Sequence, residues 1–181
     1  QRVREWCDRQ GLLLMLDEVQ TGLGRLGSLF GYQEYGVEPD VMTLAKGLGY
    51  GVPIGAFLSK DYCMALVPGD HGSTFGGNPL ATAAAHAGTK FLIDNDIMAH
   101  VKAMEKHLLA RLGEVKSRFS FVTDVRGKGL MQALELVADE TAGDRTPDPQ
   151  TTGRLFEETK ARGLLIGKGG LHGNVTRISP P

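Results

Sequence analysis

The sequence predicts an α/β fold: a mainly parallel sheet with flanking helices, followed by a smaller α+β unit. Three observations carry this. Leu12 to Leu16 is an unbroken apolar run of strand length, and Val41 to Leu44 and Pro53 to Leu58 are two more. Such runs suit strands covered on both faces, as in parallel sheets flanked by helices. Helical patterns stand on either side: Val3, Trp6 and Cys7 share one face of residues 1–10, stopped by Gly11, and Asn78-Pro79 offers an N-cap and a first-turn proline. After about Phe119 the style changes to paired strands around turns.

The elements follow in order. The helix begun at Asn78-Pro79 keeps Leu80, Ala83, Ala84, Ala87 and Phe91 on one apolar face. A second helix does the same with Ile97, Val101, Met104, Leu108, Leu112 and Val115, and Met42 and Met104 read as core. Phe121 to Val125 and Leu130 to Val137 read as strands about the turn Arg126-Gly127-Lys128-Gly129. Thr141 to Pro149 reads as a polar loop, 151–162 as a helix, and Leu164 to Ile166 and Val175 to Ile178 as short strands. This places a large unit at 1–118 and a small one at 119–181.

Composition narrows the function. Apolar residues make up 41% and charged residues 23% of 181, enough for a packed core. A net charge of −1 without charge runs argues against nucleic acid or a membrane surface as partner. No apolar stretch approaches the ~20 residues that span a bilayer. Cys7 and Cys63 show neither metal spacing nor a disulfide framework, which fits a reducing, cytoplasmic setting. The five histidines give no metal pattern either. The chain begins inside a helical pattern without methionine and stops just after a strand-like run, as an internal piece of a longer protein would.

Gly22, Gly24 and Gly27 form a literal G-x-G-x-x-G. A dinucleotide loop needs the first glycine to end the strand and the third to lie inside a long helix. Here Asp17 to Thr21 intervene, and Gly31 and Gly36 leave no room for such a helix. The glycines read instead as a loop that turns sharply away from the sheet.

Chemistry concentrates at three other places. Asp17 ends the first strand, and ligands of parallel α/β sheets bind at the carboxyl ends of strands; a carboxylate there also caps loops. Lys46 follows the run Val41 to Leu44 among Gly47, Gly49 and Gly51. A lysine so placed either snorkels to water or, partly withdrawn from it, attacks a carbonyl. Ser73 and Thr74 lie in the glycine-rich stretch Gly72 to Gly77, which serves as an ordinary turn or as a phosphate cradle. Together an acid, a nucleophilic lysine and a hydroxyl loop outline one cofactor, pyridoxal 5'-phosphate.

At the level of whole words the chain resembles the class III, fold type I pyridoxal-phosphate aminotransferases. The matching stretches are LLMLDEVQTGLGRLG (13–27), GVEPDVMTLAKGLGYGVPIGA (36–56), HGSTFGGNPLA (71–81), VRGKGLM (125–131) and RISPP (177–181). The resemblance implies part of the family's large domain at 1–118 and part of its small domain at 119–181. It implies transamination from an amino acid or ω-amine to a 2-oxo acid through a Lys46 Schiff base. Asp17 would pair with the ring nitrogen, Val19 would pack on the ring and Gln20 would lie near its hydroxyl. Thr74 would reach the phosphate held by the other subunit of a homodimer. Ser73 would touch substrate, and Arg177 would grip a substrate carboxylate. The words around DHGSTFGGNPL resemble the acetylornithine and ornithine branch, and those around GLLIGKGGLHGNVTRI the alanine–glyoxylate and β-alanine branch. Two alternatives stay open: an aminomutase, decarboxylase or racemase of the same fold, and a non-catalytic dimerising paralogue.

Overall fold

A computed structural model describes residues 1–181, which divide into two compact units, Gln1–His100 and Val101–Pro181. The division falls inside one long helix rather than after it. Most of that helix packs its apolar side on the second sheet, so its contacts place it there.

In the first unit, α1 (Arg2–Gln10) ends on Gly11, whose left-handed backbone returns its N–H to Asp8 and Cys7 carbonyls. β1 (Met15–Asp17) pairs in parallel with β2 (Val41–Leu44), Asp17 lying opposite Thr43. β3 (Ala56–Ser59) runs antiparallel to β2. The sheet is therefore mixed. The link from β2 to β3 is a short 3-10 helix and turns with no crossover helix, which suits an antiparallel return. α2 (Pro79–Asp94) is capped as its sequence predicts: the Asn78 side chain accepts from the Ala81 N–H at 2.9 Å.

Two expectations about burial fail here. Within the apolar run only Leu14 is buried, while Leu12, Leu13 and Met15 are exposed, so β1 is not covered on both faces. On α2 the buried stripe is Ala81 and Ala85, with Leu80 and Phe91 exposed. Small side chains form that stripe because the loop after β2 lies close against the helix.

α3 (Ile97–Arg118) leads into the second unit. β4 (Val122–Lys128) and β5 (Met131–Asp139) form a hairpin; β8 (Val175–Ile178) pairs with β5 on its other side, and β7 (Gly167–Gly169) pairs with β8. The polar segment read as a loop contains β6 (Asp144–Pro147), which pairs with β5. Asp148 then caps α4 (Pro149–Ala161), accepting from the Thr151 N–H at 2.9 Å. Leu112, Val122, Leu134 and Leu136 make the core, with Leu108, Val115, Leu155 and Ile178 packed on it. Met104, taken for core, is partly exposed, whereas Met42 is buried. The last hairpin shifts too: the strand is the glycine-bearing Gly167–Gly169, and Leu164 and Leu165 lie exposed before it.

Candidate active site

Asp17 ends β1, and Lys46 stands two residues beyond β2, its parallel neighbour. The ladder continues past Asp17 through the Glu18 N–H to the Thr43 carbonyl at 3.0 Å. Parallel pairing thus brings a carboxylate and an amine to the carboxyl ends of adjacent strands, where α/β sheets bind ligands. The Asp17 carboxylate is exposed but oriented: Oδ1 accepts from the Val19 N–H at 2.9 Å and the Thr43 hydroxyl at 3.3 Å. Val19 is half-buried and Gln20 exposed just beyond it.

Lys46 opens a four-residue 3-10 helix, Lys46–Gly49, with its own φ at +44°. A non-glycine residue in the left-handed region carries strain of about 1–3 kcal/mol, and such strain gathers at functional sites. The Lys46 side chain is exposed and its ammonium has no hydrogen-bond or ion-pair partner in the chain. It lines a cleft of about 590 Å³ together with Ala45, Ile54, Ser73, Phe75 and Gly76. The hydroxyl loop therefore reaches the lysine through Ser73. Thr74 is exposed and does not line that cleft.

Arg177 belongs to the second unit, on β8 opposite Gly167 of β7. A Cβ on Gly167 would come within 3.3 Å of Arg177 Nε, and one on Gly169 within 3.4 Å of the same side chain. The glycine strand leaves the arginine room to lie across it. The guanidinium is exposed and makes no ion pair within the chain.

One residue of the site went unread in the sequence. Glu18, between Asp17 and Val19, is only 3% exposed. Its Oε2 accepts from the Gly31 N–H at 2.9 Å and from the Thr21 hydroxyl, and its Oε1 from the Tyr32 N–H at 2.7 Å. The glycines of the loop fit around it. A Cβ on Gly31 would lie 2.9 Å from Glu18 Oε2, and one on Gly22 would lie 2.9 Å from the Glu18 carbonyl oxygen. The segment from Thr21 to Tyr32, which contains the G-x-G-x-x-G stretch, thus closes on a carboxylate at its two ends, and no helix longer than the 3-10 turn Gly31–Tyr35 follows the glycines before β2. The cue lay in Glu18 and Thr21 preceding two such glycines.

The residues present fit pyridoxal phosphate. They supply an unpaired amine for its aldehyde in a cleft within the ~300–1,000 Å³ range of small-ligand sites and, at the end of the neighbouring strand but outside that cleft's lining, an oriented carboxylate for its ring nitrogen. Comparison with known proteins gives the family. The family model described as aminotransferase class-III matches residues 1–181. The acetylornithine aminotransferase of Thermosynechococcus vestitus is 43% identical over 182 residues, covering 100% of this chain and 42% of the relative. A transaminase from the marine bacterium Virgibacillus superposes with a TM-score of 0.91 at 32% identity, covering 99% of this chain and 43% of that one. A phospholyase from Arthrobacter, solved with phosphoethanolamine, gives a TM-score of 0.89 at 34% identity, over 99% of this chain and 43% of that one. The chain spans about two-fifths of the length of the relatives it matches, and with a family model matched along its whole length it belongs to the class III aminotransferases.

Proposed function

We propose that these residues are the lysine-bearing part of a pyridoxal-phosphate site, and that the full-length protein transfers an amino group from an amino acid or ω-amine to a 2-oxo acid. The observation that carries this is Lys46: strained, unpaired, and beside the oriented carboxylate of Asp17 at the ends of two parallel strands. When bound, the cofactor supplies an electron sink for the carbon bearing the amine. Lys46 would supply the amine that holds it covalently and would move a proton to and from the substrate carbon as general acid and base. Asp17, its Oδ1 held by Thr43 and Val19, would keep a proton on the ring nitrogen, while Val19 would pack against the ring and Gln20 would meet its hydroxyl. Ser73 faces substrate from the cleft, and Arg177 pairs with a carboxylate, for which its planar fork is suited. Thr74 serves the phosphate in the second copy of a homodimer. The exposed apolar side chains around it, Phe75 at 82% with Leu66 and Leu80, support a subunit contact there. No helix is long and apolar enough to cross a membrane, and two free cysteines fit a cytoplasmic setting.

The test is spectroscopic. The full-length protein mixed with pyridoxal phosphate takes on visible absorbance and holds the cofactor through Lys46. An amino donor discharges that absorbance with stoichiometric release of the oxo product. Lys46→Ala lowers turnover by at least about 10²-fold, the scale of a lost general base. A colourless wild type, or a covalent adduct retained in Lys46→Ala, overturns the assignment. The likeness to the Arthrobacter phospholyase supports a second reading, in which the same residues serve another reaction of the cofactor. It predicts product formation without transfer of the amino group to the cofactor.

A further inference from the structure

Tyr50 ends the same short helix that Lys46 begins, and it too is left-handed, with φ +48°. A bulky aromatic residue is an outlier in that region. Its ring sits on α2 at Gly88, so closely that a Cβ built on Gly88 would lie 2.1 Å from ring atoms Cδ2 and Cε2. While the ring stays, only glycine fits at 88. Tyr50 stays 45% exposed, and burial of the remainder pushes the phenol's pKa up. Glycine weakens a helix interior. A helix-weakening residue therefore faces a strained tyrosine, and each is accounted for by the other.

The contact has a direct line to Lys46. Within the loop, the Leu48 N–H reaches the Ala45 carbonyl at 3.0 Å and the Tyr50 N–H reaches the Gly47 carbonyl at 3.4 Å. One turn of 3-10 helix with such bonds is too short to fix two left-handed ends by itself. α2 is the firm element beside it, capped by Asn78 and buried along Ala81 and Ala85. We infer that Tyr50 seated on Gly88 is a brace that holds Lys46 in its left-handed geometry, making both residues positioning residues for the cofactor lysine. This rests on the assignment of Lys46 made above. The brace itself is a property of the chain without cofactor.

Four variants of the full-length protein test it: Tyr50→Phe, Tyr50→Gly, Gly88→Ala, and Tyr50→Gly with Gly88→Ala. Two readouts are followed, amide hydrogen exchange of residues 45–50 without cofactor, and the dissociation constant for pyridoxal 5'-phosphate. Tyr50→Phe keeps the ring and stays at wild-type values. Gly88→Ala unseats the ring, speeds exchange and weakens cofactor binding. If the loop then holds its geometry a tenth of the time, the dissociation constant rises about tenfold. Tyr50→Gly removes backbone strain, so a merely structural tyrosine would leave binding unchanged; the brace predicts the same loss as Gly88→Ala. In the Tyr50→Gly background, Gly88→Ala adds no further loss and raises the melting temperature, because alanine favours the helix. Unchanged exchange at 45–50 in Gly88→Ala overturns the brace whatever the cofactor does. So does a Gly88→Ala effect that is equal in both backgrounds. Failure of the Lys46 assignment shows separately, as wild type that takes up no cofactor while exchange still responds to the variants.

Discussion

Glu18 shows how much of a site is decided by a side chain that never meets the ligand. Successive residues along an extended chain point to opposite faces, so the burial of Glu18 leaves Asp17, the last residue of β1, on the other side. Its carboxylate also terminates the backbone N–H groups of Gly31 and Tyr32. Glu18→Ala strands both donors, at about 1–3 kcal/mol each. Chemical denaturation of the full-length protein should register that loss as a lower midpoint at an unchanged slope. Gly31→Ala should also destabilise, because its Cβ would crowd Glu18 Oε2. The double variant should fall short of the sum, since both changes act on one contact. At this scale the sequence placed Asp17 at the end of one strand and Lys46 just beyond the next, and the structure has them there. The sequence could not rank two adjacent carboxylates, because which one turns inward depends on a loop that closes thirteen residues later at Gly31.

Among elements, the joint of α1, β1 and β2 depends on Asp40. This buried carboxylate accepts from the Tyr62 hydroxyl, from the Leu14 N–H at 2.6 Å and from the Arg4 guanidinium at 2.6 Å. Those bonds, Tyr62's foremost, hold its carboxyl far below the ordinary value of 3.8, and the same pairing pushes the Tyr62 phenol up to about 12. The signs follow. A depressed acid is already charged in the folded state, so the unfolded chain binds the extra proton, and this stability is whole above about pH 4 and drains as pH falls. The raised phenol contributes below about pH 10, its ordinary value, and loses that contribution as pH rises through 12. Tyr62 is exposed, so water screens its share and the acid limb should be the larger. Melting temperatures across the acid range and up through about pH 12 check this: Asp40→Asn should lower the wild-type value at pH 7, and the gap should narrow below pH 4. Tyr62→Phe should abolish the alkaline limb and also shrink the acid limb, because the Tyr62 hydroxyl is the foremost group holding the Asp40 carboxyl down. The helix cap Asn78 was legible because capping is local; Asp148, which caps α4, falls in a stretch that reads as a polar loop. The buried face of α2 was not legible, because it is set by Tyr50 and the loop that Tyr50 carries, and periodicity alone favoured the larger side chains.

Across the whole molecule the two units differ in how well each is covered. The second has a core centred on Leu136, which is fully buried and touches Leu112 and Leu134 in the same cluster. The first has a three-stranded sheet whose outer strands each have one partner, and Met15, Phe57 and Leu58 stand exposed on them, with Leu13 exposed just before β1. The continuous apolar run in β1 correctly announced a strand, and its burial was misread because burial on both faces needs chain that these 181 residues do not place there. Open edges and apolar faces bind other chains. The two units should therefore behave differently when made separately. Residues 97–181, which retain all of α3, should melt in one cooperative transition, and Leu136→Ala should cost that segment about 2–5 kcal/mol through the cavity it leaves. Residues 1–96 should brighten a hydrophobic dye, scatter light as concentration rises, and lack a sharp transition, whereas the full-length protein should leave the dye dark. A cooperative melt of 1–96 with no dye binding would show that the first unit needs no further cover, and that the exposed strands of β1 and β3 are stable as they stand.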